Sequence, residues 1–373
     1  MISGHATPEG TRRFAERFPA LLEKQHFRSP SRIKGPSELL FSSIGLGTYL
    51  GEPDDASDQL YTQAVSAALR SGINLLDTAI NYRHQRSERN IAAAIQELVG
   101  TGDLQRDEFV VCTKAGYLSF DGSVPADART YFLREYVETG ALKAEEIAGG
   151  MHCMSPRFLE NQLDRSRRNL GLETIDIFYL HNPESQLGKV ARENFRARLR
   201  LAFQALEKAV KAGKIRWYGI ASWNAFRVAE GETAHMSLEG CLQAAHDAGG
   251  ENHHFRFVQL PFSLGMPEAF ALPTQRSGKK HVAALGFGEE HGLAMIASAS
   301  LYQGQLARNL PEWLENRIGL ASDAERALQF ARSAPGVLAA LVGMGKPAHV
   351  FENIRLARHE PMSRESFQSL FHE

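Results

Sequence analysis

Residues Ile175–His181 read IDIFYLH. The run is apolar apart from Asp176 and its terminal histidine, and it does not alternate. Strands of that kind are buried on both faces, as parallel strands are. A helical pattern flanks it on each side. Upstream, Ser155–Pro156 reads as an N-cap and first-turn pair ahead of Phe158, Leu159, Leu163 and Leu170. Downstream, Phe195–Ala212 is helical in pattern, with Gly213 as its stop.

The same rhythm extends both ways. Toward the N-terminus lie Phe109–Thr113 (FVVCT), Ile73–Asp77 (INLLD) and Ile44–Thr48 (IGLGT), separated by helical patterns over Ser87–Val99 and Ser57–Arg70. Toward the C-terminus lie Ile215–Ile220, Phe255–Gln259, Leu293–Ala297 and Val337–Val342. The segments near Leu238–Ala248, Val282–His291, Asp323–Ser333 and Pro347–Leu356 are helical in pattern. Eight strand–helix units fit a closed (β/α)8 TIM barrel in one α/β domain better than two domains, although a doubly wound sheet stays open on periodicity alone.

Three segments fall outside the rhythm. Residues 1–40 form an N-terminal extension before the 41–373 barrel, and Phe14, Phe18 and Leu22 predict a short helix packed on it. Residues 115–154 are a long insertion and 262–280 a long loop with turns near Pro267, Pro273 and Gly278. Both follow strand C-terminal ends, the face where barrel enzymes build their sites, and 115–154 is expected to act as a substrate lid.

Composition narrows the function. Forty-two Lys and Arg against 43 Asp and Glu give a formal charge of -1, so there is no field to hold a polyanion and nucleic acid is not an expected partner. Apolar runs are too short to span a bilayer, and the N-terminal residues lack a secretory signal's apolar run. Three scattered cysteines, Cys112, Cys153 and Cys241, predict reduced thiols in a cytoplasm. No metal site is expected: Met151–His152–Cys153, His253–His254 and the basic run Arg165–Arg168 read as surface features, the last with no need of an acidic partner.

Four polar residues stand at or just past successive strand ends. Asp77, Lys114 and His181 close the second, third and fourth strands, and Tyr82 lies five residues beyond Asp77. Taken singly, the Asp is a turn residue, the Tyr half-buried packing and the His an edge residue. Three consecutive strand ends of one barrel bring them together.

These segments resemble the aldo-keto reductases, in the subgroup that includes potassium-channel β-subunits and bacterial oxidoreductases. The resemblance is carried by GLGTY (Gly45–Tyr49), DTAINY (Asp77–Tyr82), Thr113–Lys114 and IDIFYLHNPE (Ile175–Glu184). It continues in order through GKIRWYGIASW (Gly213–Trp223), VQLPFSL (Val258–Leu264) and VGMGKPAHVFENI (Val342–Ile354). It implies reduction of a small aldehyde or ketone with hydride from NADPH, NADH being the second choice. Tyr82 would be the proton donor, Lys114 would lower its pKa, Asp77 would balance Lys114, and His181 would orient the substrate oxygen.

The resemblance also implies cofactor contacts. Gly47 and Thr48 would line the approach of the nicotinamide beside Asp77, and Ser222 and Gln259 would hold its carboxamide. Leu301 would meet the pyrophosphate, and Gly345, Lys346 and His349 the adenosine phosphate near a helix N-terminus. Glu352 and Asn353 would meet the adenine edge. Ser298 replaces an aromatic common after the seventh strand, Ala221 a common serine, and His349 an arginine or glutamine. Two other readings remain: an NAD-dependent sugar or alcohol dehydrogenase on the same residues, and a slow cofactor-binding regulatory module. A full set of Asp77, Tyr82, Lys114 and His181 argues against the module. The sequence leaves the substrate and the oligomeric state open. Aromatics Tyr117, Phe120, Tyr131, Phe132 and Tyr136 either line a pocket or pack the insertion down.

Overall fold

The structure, a computed structural model, describes residues 1–30, 33 and 35–372. Eight parallel strands close into a barrel: β1 (Ile44–Gly47), β2 (Leu75–Asp77), β3 (Val110–Ala115), β4 (Ile175–His181), β5 (Ile215–Ala221), β6 (Phe255–Pro261), β7 (Ala294–Ser298) and β8 (Val337–Gly343). Closure runs through β8 and β1, pairing Ala340 with Ile44 and Leu341 with Gly45. Each strand leads to a helix on the outside: α1 (Asp55–Arg70), α2 (Arg86–Gly100), α3 (Pro156–Leu170), α4 (Arg192–Lys211), α5 (Leu238–Gly249), α6 (Ala284–His291), α7 (Asp323–Ser333) and α8 (Pro347–Arg355). The closed barrel removes the doubly wound alternative.

Helix α4 begins three residues before the apolar pattern does. Its first turn, Arg192, Glu193 and Asn194, is exposed and polar, so apolar spacing could not reveal it. Ser155 precedes α3 without a side-chain cap; its hydroxyl donates instead to Glu146 at 2.9 Å. The N-terminal helix divides into Pro8–Glu16 and Pro19–Glu23, because Pro19 cannot continue the first one. Loop 262–280 contains a short helix, Glu268–Ala271, and the start of a hairpin pairing Gln275–Ser277 with Lys280–Val282.

Strand parity fixes what faces inward. Successive strand residues point to opposite sides. Leu75, Cys112, Ile177, Tyr179, Trp217, Phe257 and Leu341 therefore pack one another inside the barrel. Leu76, Val111, Phe178, Ile220 and Val258 face the helices. Gly219 has to lack a side chain, since a Cβ there would stand 2.9 Å from the Tyr179 ring. Continuing the inward parity to the strand C-termini reaches Asp77, Lys114, His181 and Gln259. Pairing of Asp77 with Cys112, Lys114 with Tyr179 and His181 with Ala221 keeps them in adjacent layers.

At the opposite end, Ala6, Leu39 and Phe41 join the inner cluster. Asp176 ties that end together: its carboxylate accepts from Ala6 N at 2.7 Å, Arg106 Nη2 at 2.7 Å and Val111 N at 2.8 Å.

The insertion is zipped at its base, with Cys153 N donating to Gly116 O at 2.8 Å and Leu118 N to Met151 O at 2.9 Å. Its aromatics divide between the two expected roles. Tyr131, Phe132 and Tyr136 pack the insertion: Phe132 stacks on Phe120 at 4.7 Å, and the buried Tyr136 hydroxyl donates to Ser119 O at 2.7 Å. Tyr117 and Phe120 line the large cavity described below.

Three surface readings are corrected. Arg165 on α3 does have an acidic partner, Glu135 of the insertion, and lies over Tyr136 at 5.4 Å; Arg167 pairs with Asp164. Met151 is exposed, but His152 and Cys153 are buried because the insertion folds back under its own base. His253 and His254 are half-buried, His254 against the Glu207 carboxylate at 2.8 Å and His253 against Arg256 at 3.0 Å. Among the described residues the three cysteines are free and buried, and no group of three or more His, Cys, Asp or Glu is placed to hold a metal. No helix among them is long and apolar enough to cross a membrane.

Asp176→Ala leaves the buried Arg106 guanidinium without its carboxylate, and losing one member of a buried ion pair costs about 3–5 kcal/mol. Urea unfolding is expected to show a loss of that size, with Asp176→Asn losing less because it retains an acceptor.

Candidate active site

Tyr82 sits in the turn between β2 and α2, a turn with unusual backbone. Arg83, His84 and Gln85 have successive positive φ angles of 47°, 56° and 71°. Non-glycine residues adopt that region only when their surroundings enforce it. Here the enforcement comes from Arg83, whose buried guanidinium donates to Asp58 at 2.7 Å, Asn90 at 2.7 Å and Glu52 O at 2.9 Å, and lies 5.0 Å from the Tyr61 ring. Gln85 reaches across to Phe120 O of the insertion at 2.9 Å. The turn thus delivers the Tyr82 phenol over the barrel mouth.

Beneath it lies the Lys114 ammonium, with no exposure to solvent. Its Nζ donates to Asp77 Oδ2 at 2.6 Å and Thr78 O at 2.8 Å, and lies 3.4 Å from the Tyr82 hydroxyl. The other Asp77 oxygen accepts from Gln259 Nε2 at 2.8 Å. Burial by itself would lower the lysine pKa, but the charge of Asp77, with Tyr82, outweighs it and holds the pKa above its ordinary value. Lys114 is therefore cationic at neutral pH.

Lys114 acts on the Tyr82 pKa in the expected direction, but it does not act alone. Burial of the phenol is the largest influence and raises it; Lys114 pulls it down, Asp77 pushes against that pull, and the net position is above an ordinary phenol. The lysine offsets burial without overcoming it, because its charge is already shared with Asp77. Tyr82 stays protonated through neutral pH.

His181 completes the floor of the site, its ring edge-on to Tyr82 with centroids 5.8 Å apart. Burial, followed by Lys114 and His152, holds its pKa well below the usual histidine range. It is a neutral imidazole, suited to hydrogen-bonding an oxygen and unsuited to being the acid. Its Nδ1 is buried without a partner among the described residues.

These groups open on one cavity of about 830 Å3. Gly47, Thr48, Asp77, Tyr82, His181, Ser222, Gln259, Leu301, His349, Glu352 and Asn353 all line it. Lys114 lies behind Asp77 and Tyr82. Gly345 and the exposed Lys346, which precedes α8, lie beside the cavity and not on its wall.

The cavity is also lined by Ser298, Ser300 and Leu301 after β7 and by the aromatics Tyr49, Tyr117, Phe120 and Trp223. Ala299, Tyr302 and Gln303, after β7, are again held at positive φ. Ser300 Oγ is buried there with no partner among the described residues. Ser222 is already engaged, donating to Glu184 Oε1 at 3.0 Å.

Glu184 was not singled out by the sequence. Its Oε1 also accepts from Trp223 N at 2.7 Å and Asn224 N at 3.1 Å, so it shapes the loop after β5. Its place after the His181–Asn182–Pro183 turn was the available signal.

A family model described as the aldo/keto reductase family matches residues 43–238. D-threo-aldose 1-dehydrogenase of a Pseudomonas species is 31% identical over 180 residues, 44% of this chain and 45% of that protein. An uncharacterised oxidoreductase of Bacillus subtilis is 23% identical over 353 residues, covering 91% and 94% of the two chains. A protein described as a putative voltage-gated potassium channel subunit beta of Schizosaccharomyces pombe is 25% identical over 344 residues, covering 87% of each. Among solved structures, an aldo/keto reductase from Klebsiella pneumoniae in complex with NADP and acetate has a TM-score of 0.60 at 21% identity, covering 91% of this chain and 93% of that one. At that identity the likeness concerns the barrel fold.

Proposed function

Because the chain belongs to the aldo/keto reductase family, we propose that it reduces an aldehyde or ketone to an alcohol, taking hydride from NADPH in preference to NADH. The observation that carries this reading is the Lys114 ammonium, held 2.6 Å from Asp77 and 3.4 Å from the Tyr82 hydroxyl below one large cavity.

The residues fit a nicotinamide dinucleotide. Gln259, with its amide nitrogen on Asp77, suits the nicotinamide carboxamide, and Ser222, whose proton goes to Glu184, can only accept from it; the Ser300 hydroxyl, unpartnered among the described residues, and the loop at Leu301 suit a pyrophosphate. Glu352 and Asn353 suit an adenine edge, with Lys346 and His349 near the start of α8 for a 2'-phosphate. When bound, the cofactor supplies the hydride. The Klebsiella relatives of this fold are described as complexes with NADP and with NADPH.

The chain's own residues handle the oxygen. Negative charge develops on the carbonyl oxygen as its carbon is reduced. Tyr82 donates its phenolic proton to that oxygen, and Lys114 stabilises the phenolate left behind. Asp77 keeps Lys114 charged and in place. His181, neutral, hydrogen-bonds the oxygen and directs it at Tyr82.

The reverse reaction is the second reading, favoured by the aldose 1-dehydrogenase among the relatives. It would use the same groups in the opposite sense, with Tyr82 as phenolate accepting the alcohol proton beside Lys114.

Titration with NADPH and NADH, followed by intrinsic fluorescence, is the first test; NADPH is expected to bind more tightly, and binding of neither would remove the proposal. Tyr82→Phe should lower kcat for aldehyde reduction about 10²–10⁴-fold, the scale of a lost general acid, while NADPH affinity stays near wild type. Undiminished turnover would take Tyr82 out of the acid role. Lys346→Ala should weaken NADPH about 10-fold, on the scale of one charge-assisted phosphate contact, and leave NADH unaffected; equal losses for both would remove the phosphate contact.

A further inference from the structure

His152 is a buried histidine that the proposed chemistry does not use, and it lies directly behind His181. Strand β3 stops pairing with β4 at Ala115, opposite Leu180. There the chain departs into the insertion, so the next carbonyl on β4, that of His181, has no strand neighbour on that side. His152, returning at the far end of the insertion, takes the place of one: its Nε2 lies 2.8 Å from His181 O.

Proton positions along this contact follow from its far end. Arg198 on α4 can only donate, and its Nη1 meets Gln186 Oε1 at 2.9 Å. The Gln186 amide nitrogen is thereby turned to His152 Nδ1, at 3.0 Å, where it donates. His152 Nδ1 must accept, so its proton is on Nε2 and points at the His181 carbonyl. Burial, the chief cause, and Arg198 lower its pKa to about 4, consistent with a neutral ring.

Two neighbours show that the contact is built in. A Cβ on Gly116 would stand 2.8 Å from His152 Nε2 and would also collide with the His181 carbonyl, so only glycine admits the bond. Tyr117 sits edge-on to both rings, with centroids 5.1 Å from His152 and 5.2 Å from His181. Its hydroxyl is held by Ser185 at 2.8 Å and Asn182 at 3.2 Å.

We propose that His152 is a positioning residue, which sets the direction of His181 toward the carbonyl substrate by donating from Nε2 to the His181 main chain, with Tyr117 as the spacer between the rings. The inference rests on the proposed role of His181. Through it the insertion does more than cover the cavity: its returning end orients a group at the reacting oxygen.

The test compares His152→Leu, which keeps bulk and loses the donor, with His152→Gln, whose amide nitrogen reaches the Nε2 position. Small misplacements of catalytic groups cost up to about 10²-fold. His152→Leu should therefore lower kcat for aldehyde reduction about 10- to 100-fold at unchanged NADPH affinity, with His152→Gln recovering most of it. Wild-type kcat in His152→Leu, or a Gln variant no better than the Leu variant, overturns the proposal. Should His152→Leu fail to fold, Gln186→Leu breaks the same chain from the other side and should show the same loss confined to kcat.

A readout independent of turnover is the 15N spectrum of the histidines in the wild-type protein at pH 6, with the His152 signals assigned from His152→Gln. A neutral ring protonated on Nε2 is expected; an Nδ1–H ring or an imidazolium overturns the proposal. Absence of aldehyde turnover in the wild type would instead remove the reductase reading, and the spectrum would still decide the His152 bond.

Discussion

A lysine ammonium with no exposure to water lies at the top of the barrel interior, and the rest of the site is arranged around keeping it charged. An unpaired charge in such a place would lose its proton or unfold the region. Asp77 prevents this from the neighbouring strand, and the same carboxylate also takes the Gln259 amide from across the barrel. One carboxylate therefore links strands β2, β3 and β6 at the mouth. Tyr82 is the third participant, and its contact with Lys114 is longer than that of Asp77 because the turn carrying it is anchored separately, through Arg83.

That separation explains the electrostatics. With its charge divided between Asp77 and Tyr82, Lys114 moderates the effect of burial on the phenol but does not reverse it. The phenol remains an acid at neutral pH and gains a ready partner once it becomes phenolate. His181, neutral from burial and from the adjacent ammonium, is left to direct the oxygen. Three ionisable groups within hydrogen-bonding or ring contact thus hold different protonation states for identifiable reasons.

Much of this frame was legible in the sequence, since parity and continuous apolar runs are backbone properties. Once Leu75, Cys112 and Tyr179 face inward, Asp77, Lys114 and His181 must follow two residues later along their strands. The Tyr82 turn was not legible, because its three left-handed residues are arginine, histidine and glutamine, types that carry no sign of positive φ. His152 was hidden for a different reason. It lies in a segment without periodicity, between an exposed methionine and a buried cysteine, and its burial comes from contacts with Gly116, Gln186 and His181 that are remote in sequence. The Arg165 pair is not legible in the sequence because its partner, Glu135, lies thirty residues away in the insertion.

The most direct measurement is the alkaline titration of Tyr82 in wild type and Lys114→Met, followed by tyrosinate absorbance with Tyr82→Phe versions of each protein as the subtraction. A cation next to the hydroxyl favours the phenolate, so Tyr82 should ionise at higher pH in the methionine variant than in the wild type. An unchanged titration would mean that the buried ammonium does not act on the phenol, and would contradict the account at its centre.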